Sequence, residues 1–555
     1  LASSEELEAD RYRFGNLIRK LDNIYEKRGI RIELFEWEDY DAAYNGMRKQ
    51  DEYNERVRAS DMFLALFHKK AGKFTIEEFN IARKAFDEQA SPKIYTYIKD
   101  LEAGESESRE LAEFKRLMLE ELGHYWCRYS NFDTMQLHFV LQLQMVEATT
   151  PIKVEVKESQ VKIGDSTIAD LNNVPFTSEN ATHRELQSRK EQLDREIGNA
   201  ESGGRRGFFG QRSRMTDEEL ANLREERESV TEQIERQEKA LVDTAMSIAR
   251  MQGGECSPRM RTAAELFEKG ETDKAEAVLK EDDMEADATN AKLKFDTAAQ
   301  PTAELARNIE RCAGEYMLKA RIVVSGIADE SRYRQAVKLM STAIDLVSGR
   351  LPEETLAEYL FDYAVLLADA GQQTKALETW ERLSGIYERL YRKAPQKYAY
   401  GYAGVLNNMA VLYSDKGDFD HCLSKYLKAI DIYDWLDREE PGIYDDDIAR
   451  LKNNLGTLYS DRDEYNKALS EFNEAARIRF ELLAKDNDPD SRSALADIYC
   501  NMATALQFSD HSQEALLYIA QAHAILDELD KEFPRIYEYK LYSILNREGS
   551  IYTRL

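Results

Sequence analysis

At 555 residues the chain is too long for a single hydrophobic core, and about three domains of roughly 100–200 residues each are expected. With 43% hydrophobic and 32% charged residues it reads as a folded, largely helical, soluble chain, while a net charge of −28 excludes a general nucleic-acid binder. Five scattered cysteines, never paired as CxxC, point to reduced thiols in a cytoplasmic protein, and no apolar run reaches the roughly 20 residues of a membrane span.

Residues 1–148 alternate helix and strand signals. Phe14, Ile18, Leu21 and Ile24 recur at helical steps within Glu5 to Lys27, and Ile30 to Trp37 alternates like a strand. Gln50 to Ala59 reads as helix, and the apolar run Met62 to Phe67 as a buried parallel strand. Thr75 to Asp87 predicts a helix with Thr75 as N-cap and Glu78 three residues on, a capping box. A strand at Lys93 to Ile98, a helix at Ser108 to Leu122, a strand at Tyr125 to Tyr129 and a helix at Asp133 to Val146 complete the unit. Such alternation argues for a doubly wound parallel sheet, which places ligands at the carboxyl ends of its strands.

Further on, Ile152 to Val156 and Val161 to Ile163 read as a small β-hairpin within 149–176. Leu186, Leu193 and Ile197, then Leu220, Leu223, Val230, Ile234 and Leu241, stand at coiled-coil steps. They predict an antiparallel helical hairpin over 177–250. Its tip, Gly203 to Arg214, sets Phe208 and Phe209 among four arginines: either a contact point for a partner or a loop without one.

From 256 to 555 the chain reads as helical, and one pattern recurs. Ala364, Gly371 and Ala376 are spaced by seven and five, as are Ala410, Gly417 and Cys422, then Gly456, Asp463 and Ala468, then Ala503, Asp510 and Ala515. Ala263, Gly270 and Ala275 obey the same rule, and a weaker unit lies between Leu318 and Leu346. Small residues at these steps let two antiparallel helices approach closely, with a turn former between them. The pattern resembles the tetratricopeptide repeat (TPR) in a longer-helix form, since these units recur every 46 or 47 residues. That resemblance implies an all-α solenoid that holds a protein or peptide partner, with Asn407, Asn408, Asn453, Asn454 and Asn501 as candidate groove residues. Both ends read as cut: Leu1 to Ser4 looks like the end of a strand, and 545–552 restates the first helix of a repeat.

The opening Leu-Ala-Ser-Ser, the segment Ser60 to Leu64 and the segment Phe74 to Phe79 resemble a divergent prokaryotic Toll/interleukin-1 receptor (TIR)-like domain of flavodoxin-like fold. The family's Trp-Cys-x-x-Glu-Leu segment would fall on Phe74, Thr75, Glu78 and Phe79, so the Trp and Cys are replaced. The resemblance implies that Glu78 is the glutamate of NAD-cleaving members, that NAD is substrate and not cofactor, and that the domain self-associates. It also implies a prokaryotic sensor–effector in anti-phage defence. The rivals are a non-catalytic scaffold and a receptor that binds a nucleotide signal without cleaving it.

In chemical terms, breaking a nicotinamide–ribose bond passes through an oxocarbenium-like centre that a nearby carboxylate stabilises or attacks. Glu78 suits that task or merely closes the capping box, with Glu77 as the adjacent alternative. Ser3 and Ser4 are placed either to bond a ribose or phosphate or to cap the first helix; Trp37 either stacks on a base or joins the core. Arg48 and Lys49 meet phosphates or solvate a helix, and His68, just past a strand, is a candidate for orienting substrate. No second His or Cys stands at metal spacing, so no metal is expected, and no GxGxxG or P-loop is present.

Overall fold

The computed structural model describes every residue except 4, 27–29, 37–48, 103, 119–125, 144–153, 158, 164–165, 203–215, 253–255, 327–328, 440, 486, 488, 533–536 and 554–555. Ser4, Trp37, Arg48, Phe208 and Phe209 lie outside the described residues. The chain falls into two compact units, 1–351 and 352–555.

The first unit opens with a parallel sheet of four strands in the order β1 (Ala2–Ser3), β2 (Met62–Phe67), β3 (Lys93–Lys99) and β4 (Cys127–Tyr129). Helices α1 (Glu8–Glu26), α2 (Lys49–Ala59), α3 (Lys73–Gln89), α4 (Arg109–Arg116) and α5 (Phe132–Leu143) alternate with the strands. Burial explains the run Met62–Phe67: five of its six side chains are buried, and Phe63, Ala65 and Phe67 pack with Phe79, Ala82, Leu111 and Phe114. Ser108 caps α4 as expected, accepting a hydrogen bond from the Leu111 amide.

Two expectations are corrected here. Ile30 to Glu36 is extended but joins no sheet; its side chains are half-buried or exposed, and its tie to β1 is a bond from the Leu1 amine to the Phe35 carbonyl at 2.9 Å. Phe35 packs under the Arg56 guanidinium and none of these side chains is fully buried, so alternation alone does not recruit the segment to the ladder. The capping box does not form either. The α3 helix begins two residues early at Lys73, its N-cap is Gly72 without a side-chain bond, and Thr75 is buried within the first turn. The Thr75 hydroxyl folds back toward Gly72, where a Cβ would stand 3.3 Å away.

The expected hairpin is a three-stranded antiparallel sheet, β5 (Glu155–Lys157), β6 (Gln160–Ile163) and β7 (Ser166–Asp170). A short helix α6 (Pro175–Ser178) leads into α7 (Ala181–Ser202), which pairs with α8 (Asp217–Gln252) as the anticipated helical hairpin. Leu193, Val230 and Ile234 form its seam, with Leu186 and Leu223 beside them. At its base the buried Glu238 carboxylate meets His183 Nε2 at 2.9 Å and accepts from the Ser159 hydroxyl at 2.6 Å, tying the small sheet to both helices. Helices α9 (Pro258–Glu268), α10 (Thr272–Val278), α11 (Glu281–Thr297), α12 (Ala303–Val324) and α13 (Glu330–Val347) complete the first unit.

The second unit is a solenoid of antiparallel helix pairs: α14 (Glu353–Asp369) with α15 (Gln373–Lys393), α16 (Pro395–Asp415) with α17 (Phe419–Glu439), α18 (Asp445–Ser460) with α19 (Tyr465–Lys485), and α20 (Pro489–Phe508) with α21 (Ser512–Glu532). A further helix, α22 (Glu538–Tyr552), packs on α21. This is TPR-like architecture, and each part of the recurring pattern has its physical role. Ala364, Ala376, Ala410, Cys422, Ala468, Ala503 and Ala515 are buried between paired helices. Gly371, Gly417, Asp463 and Asp510 carry φ of 70°, 71°, 59° and 63°. At all four turns the residue after the left-handed position donates back over five residues: Gln372 to Leu367, Asp418 to Tyr413, Glu464 to Tyr459 and His511 to Leu506. These are Schellman closures, which need a left-handed residue and favour Gly there. Gly270 in the first unit, with φ of 76°, closes α9 in the same way.

Candidate functional site

Parallel strands end together, and here the carboxyl ends of β1, β2, β3 and β4 present Ser3, His68, Lys99 and Tyr129. Three hydrogen-bonded groups gather around these positions and the helices that follow.

The first group joins α2 to α3. Glu78, in the second turn of α3, is 6% exposed. The Gln50 amide donates to Glu78 Oε1 at 2.6 Å and to Asn54 Oδ1 at 3.2 Å, and Asn54 Nδ2 donates to Glu77 Oε1 at 3.0 Å. Burial raises the Glu78 carboxyl from its ordinary 4.5 to about 7, against the lowering by Gln50 and with a further raise from Glu77. A carboxyl near 7 is divided between acid and carboxylate at neutral pH, the condition for proton transfer or charge stabilisation. Phe74, four residues before Glu78 on the same helix, is 55% exposed.

The second group holds His68. Its Nε2 lies 3.3 Å from the Glu105 carboxylate, which also pairs with Lys69, while Nδ1 is buried without a hydrogen-bond partner. The Lys69 and Lys70 amides donate to Glu6 at 3.1 and 3.4 Å, closing the loop after β2 onto the start of the chain's first helical segment. His68 is therefore anchored by a carboxylate.

The third group was not anticipated from the residues. Asp10, in the first turn of α1, accepts from Lys99 Nζ at 2.9 Å and from the Tyr129 hydroxyl at 3.0 Å. Burial and the Asp10 charge hold the Tyr129 phenol well above its ordinary range. Arg11 donates to the Ser3 hydroxyl at 2.7 Å, so Ser3 is tied to α1. One signal existed for Asp10, an acidic residue in the first turn of the helix after a first strand. For Gln50 the sequence offers none, since its partner lies 28 residues away.

The asparagines of the solenoid occupy varied settings. Asn501 Nδ2 donates to Asn453 Oδ1 at 3.1 Å, Asn454 hydrogen-bonds the Tyr426 hydroxyl, Asn408 is half-buried, and Asn407 Oδ1 is buried without a hydrogen-bond partner. Among the described residues no group of three or more His, Cys, Asp or Glu is arranged to hold a metal ion. All five cysteines are free, and among the described residues no helix is long and apolar enough to cross a membrane.

No protein-family model matches the chain, and no curated protein matches it by sequence. Solved structures resemble it at low similarity. The apo form of RapI is 16% identical with a TM-score of 0.37, covering 66% of this chain and 86% of its own. BtubC (BKLC) from P. vanneervenii is 19% identical with a TM-score of 0.34, covering 44% and 92%. A Signal Transduction ATPase with Numerous Domains (STAND) protein with a tetratricopeptide repeat sensor, from Pyrococcus horikoshii, is 13% identical with a TM-score of 0.30, covering 90% and 83%.

Proposed function

We propose that this protein is a sensor–effector. Its N-terminal domain, TIR-like in the order of its elements, cleaves the nicotinamide–ribose bond of NAD or a related nucleotide. The helical repeats take a protein or peptide partner and decide when that domain works, and self-association through the TIR-like domain or the helical hairpin assembles the active form. Depletion of NAD during phage infection is the setting that the resemblance suggests.

The observation that carries this reading is Glu78, a buried carboxyl in the second turn of α3 that burial raises to about 7 and that the Gln50 amide holds. As the nicotinamide leaves, positive charge builds on the ribose carbon, and a carboxylate drawn from a poorly solvated site stabilises it strongly. Incubating the full chain with NAD, with and without crowding agent, tests the proposal. Turnover that drops at least about 100-fold in Glu78→Ala supports it. Turnover unaffected by that substitution sinks it.

One observation favours the rival reading of a non-catalytic scaffold. Glu78 is nearly covered and already hydrogen-bonded by Gln50, as a structural buried acid would be. Titration calorimetry separates the two readings: the scaffold requires that NAD give no binding heat.

A further inference from the structure

We propose that Gln50 is the positioning residue for Glu78: its side-chain amide fixes the carboxyl's orientation and favours its carboxylate form. This rests on the reading of Glu78 as the group that acts on substrate. It goes beyond that reading by assigning a role to a second helix, α2, which no motif marked.

The geometry carries the inference. A primary amide has two N–H groups, and Gln50 spends them on two acceptors, Glu78 Oε1 at 2.6 Å and Asn54 Oδ1 at 3.2 Å. The bond to Asn54, one helical turn along α2, holds the Gln50 amide in the plane that serves Glu78. Asn54 itself is buried and gives its own N–H to Glu77 at 3.0 Å. Two adjacent glutamates on α3 are thus each met by a separate amide from α2. An amide N–H can only donate, so it stabilises the carboxylate over the protonated acid. Without that donor, burial would leave Glu78 protonated across neutral pH.

Among the described residues, the charged groups that bear on Glu78 leave this task to Gln50. On its own helix, Glu77 disfavours the carboxylate. Strand β2 carries no ionisable side chain, and the lysines of β3, Lys93 and Lys99, stand at the two ends of that strand, Lys99 on Asp10. From α2, Gln50 and Asn54 bring neutral amides to Glu78 and Glu77.

The test uses the full chain with Gln50→Met, which keeps volume and loses the donor, and Gln50→Lys, which brings a cation. NAD turnover is followed from pH 5 to 9 for each. In parallel, the difference in unfolding temperature between each chain and its Glu78→Gln counterpart is followed over the same range. Gln50→Met is expected to move the acid limb of turnover, and the midpoint of the temperature difference, up by about one pH unit. Gln50→Lys is expected to move both down. The plateau rate at high pH should also fall in Gln50→Met, because the carboxyl loses the bond that orients it, while KM for NAD stays nearly unchanged. A purely packing role would lower turnover alike at every pH and leave both midpoints in place, and that result overturns the proposal. Should the wild type fail to turn over NAD, the catalytic reading falls alone. The temperature midpoints then still decide whether Gln50 governs Glu78, and midpoints shifting with the same sign in both variants would reject it.

Discussion

The repeats of the second unit and the sheet edge of the first are built on opposite plans. In the repeats, every constraint is local and recurs. A left-handed residue seven positions after a small one, and a second small residue five further on, suffice to fold one helix back on the next. At the sheet edge nothing recurs. Tyr129 reaches Asp10 across 119 positions, Lys99 reaches Asp10 across 89, and Gln50 reaches Glu78 across 28. The repeats tolerate a weakened unit because each contacts mainly its neighbours. The edge has no such redundancy, and its polar groups are more costly to disturb.

The largest effect that sharpens this contrast is expected at Glu78. Its folded value near 7 exceeds the ordinary 4.5, so the folded state binds the proton more tightly than the unfolded state does. The stability this gives is complete below about pH 4.5 and lost as pH rises through 7. Wild type should lose about 3 kcal/mol from this group between those limits, while Glu78→Gln loses none of it. The variant is therefore expected to melt above wild type at pH 8, to match it near pH 4.5, and to be inactive on NAD at both. Thermal unfolding of the two full chains across pH decides this, and equal melting at pH 8 contradicts it.

Next comes the Asp10 group. Asp10→Ala removes the acceptor shared by Lys99 and Tyr129, leaving a buried phenol hydroxyl without its partner. A loss of about 2 kcal/mol is expected, read as a lower unfolding temperature. Asp10→Asn keeps an acceptor oxygen and should lose less.

Legibility follows the same divide. The turn positions Gly371, Gly417, Asp463 and Asp510 were readable because Gly, and less readily Asp, is favoured in a left-handed backbone, so the demand is written on the residue itself. The strand at Met62–Phe67 was readable because burial on both faces leaves no polar alternation. Glu78 was found for its place in the order of elements, yet its local role was misread: Thr75 lies inside the helix and not at its cap. Two residues of helix length decide that, and helix starts are set by which side chains the fold buries, not by the cap motif alone. β7 was missed because Ser166–Asp170 has only Ile168 and Ala169 buried, too short an apolar signal to separate from a loop. Gln50 was invisible, and Asp10 was marked only by its place in a first helical turn, since neither residue type announces a partner in a distant element.

Within the repeats, one position breaks their own rule and can be used to probe it. Gly456 stands where Ala364, Ala410 and Ala503 stand in the other units, and a Cβ there would lie 2.5 Å from the Phe472 ring. Sixteen residues after each small residue come Trp380, Tyr426, Phe472 and Ile519, all buried. The third unit has therefore drawn its aromatic ring onto the helix backbone. Gly456→Ala should cost about 1–3 kcal/mol through overpacking, although alanine is the better helix former by about 1 kcal/mol. Combining it with Phe472→Leu should recover part of that loss, while Phe472→Leu alone leaves a gap. Urea unfolding of the full chain, following the transition of the repeats, checks the sign.

The smallest effects are expected at the turns, and they ask whether the recurrence reflects geometry or only ancestry. Gly417 and Asp463 occupy equivalent positions with φ of 71° and 59°. If the left-handed backbone sets the demand, Gly417→Ala should cost about 1 kcal/mol, because a Cβ there crowds the following carbonyl. No contact with the rest of the fold adds to that loss, since beyond its own chain neighbours a Cβ at Gly417 meets nothing within 4 Å. Asp463→Gly should be nearly neutral: relief of the left-handed strain offsets the extra freedom that glycine gives the unfolded chain and the bond that Asp463 accepts from Tyr465. Gly417→Asp should then lie between wild type and Gly417→Ala, since a short polar side chain tolerates this backbone better than a methyl does. Equal losses for Asp and Ala at 417 would mean that the aspartates at 463 and 510 are sustained by their own side-chain bonds. The turn rule would then be two rules sharing one spacing.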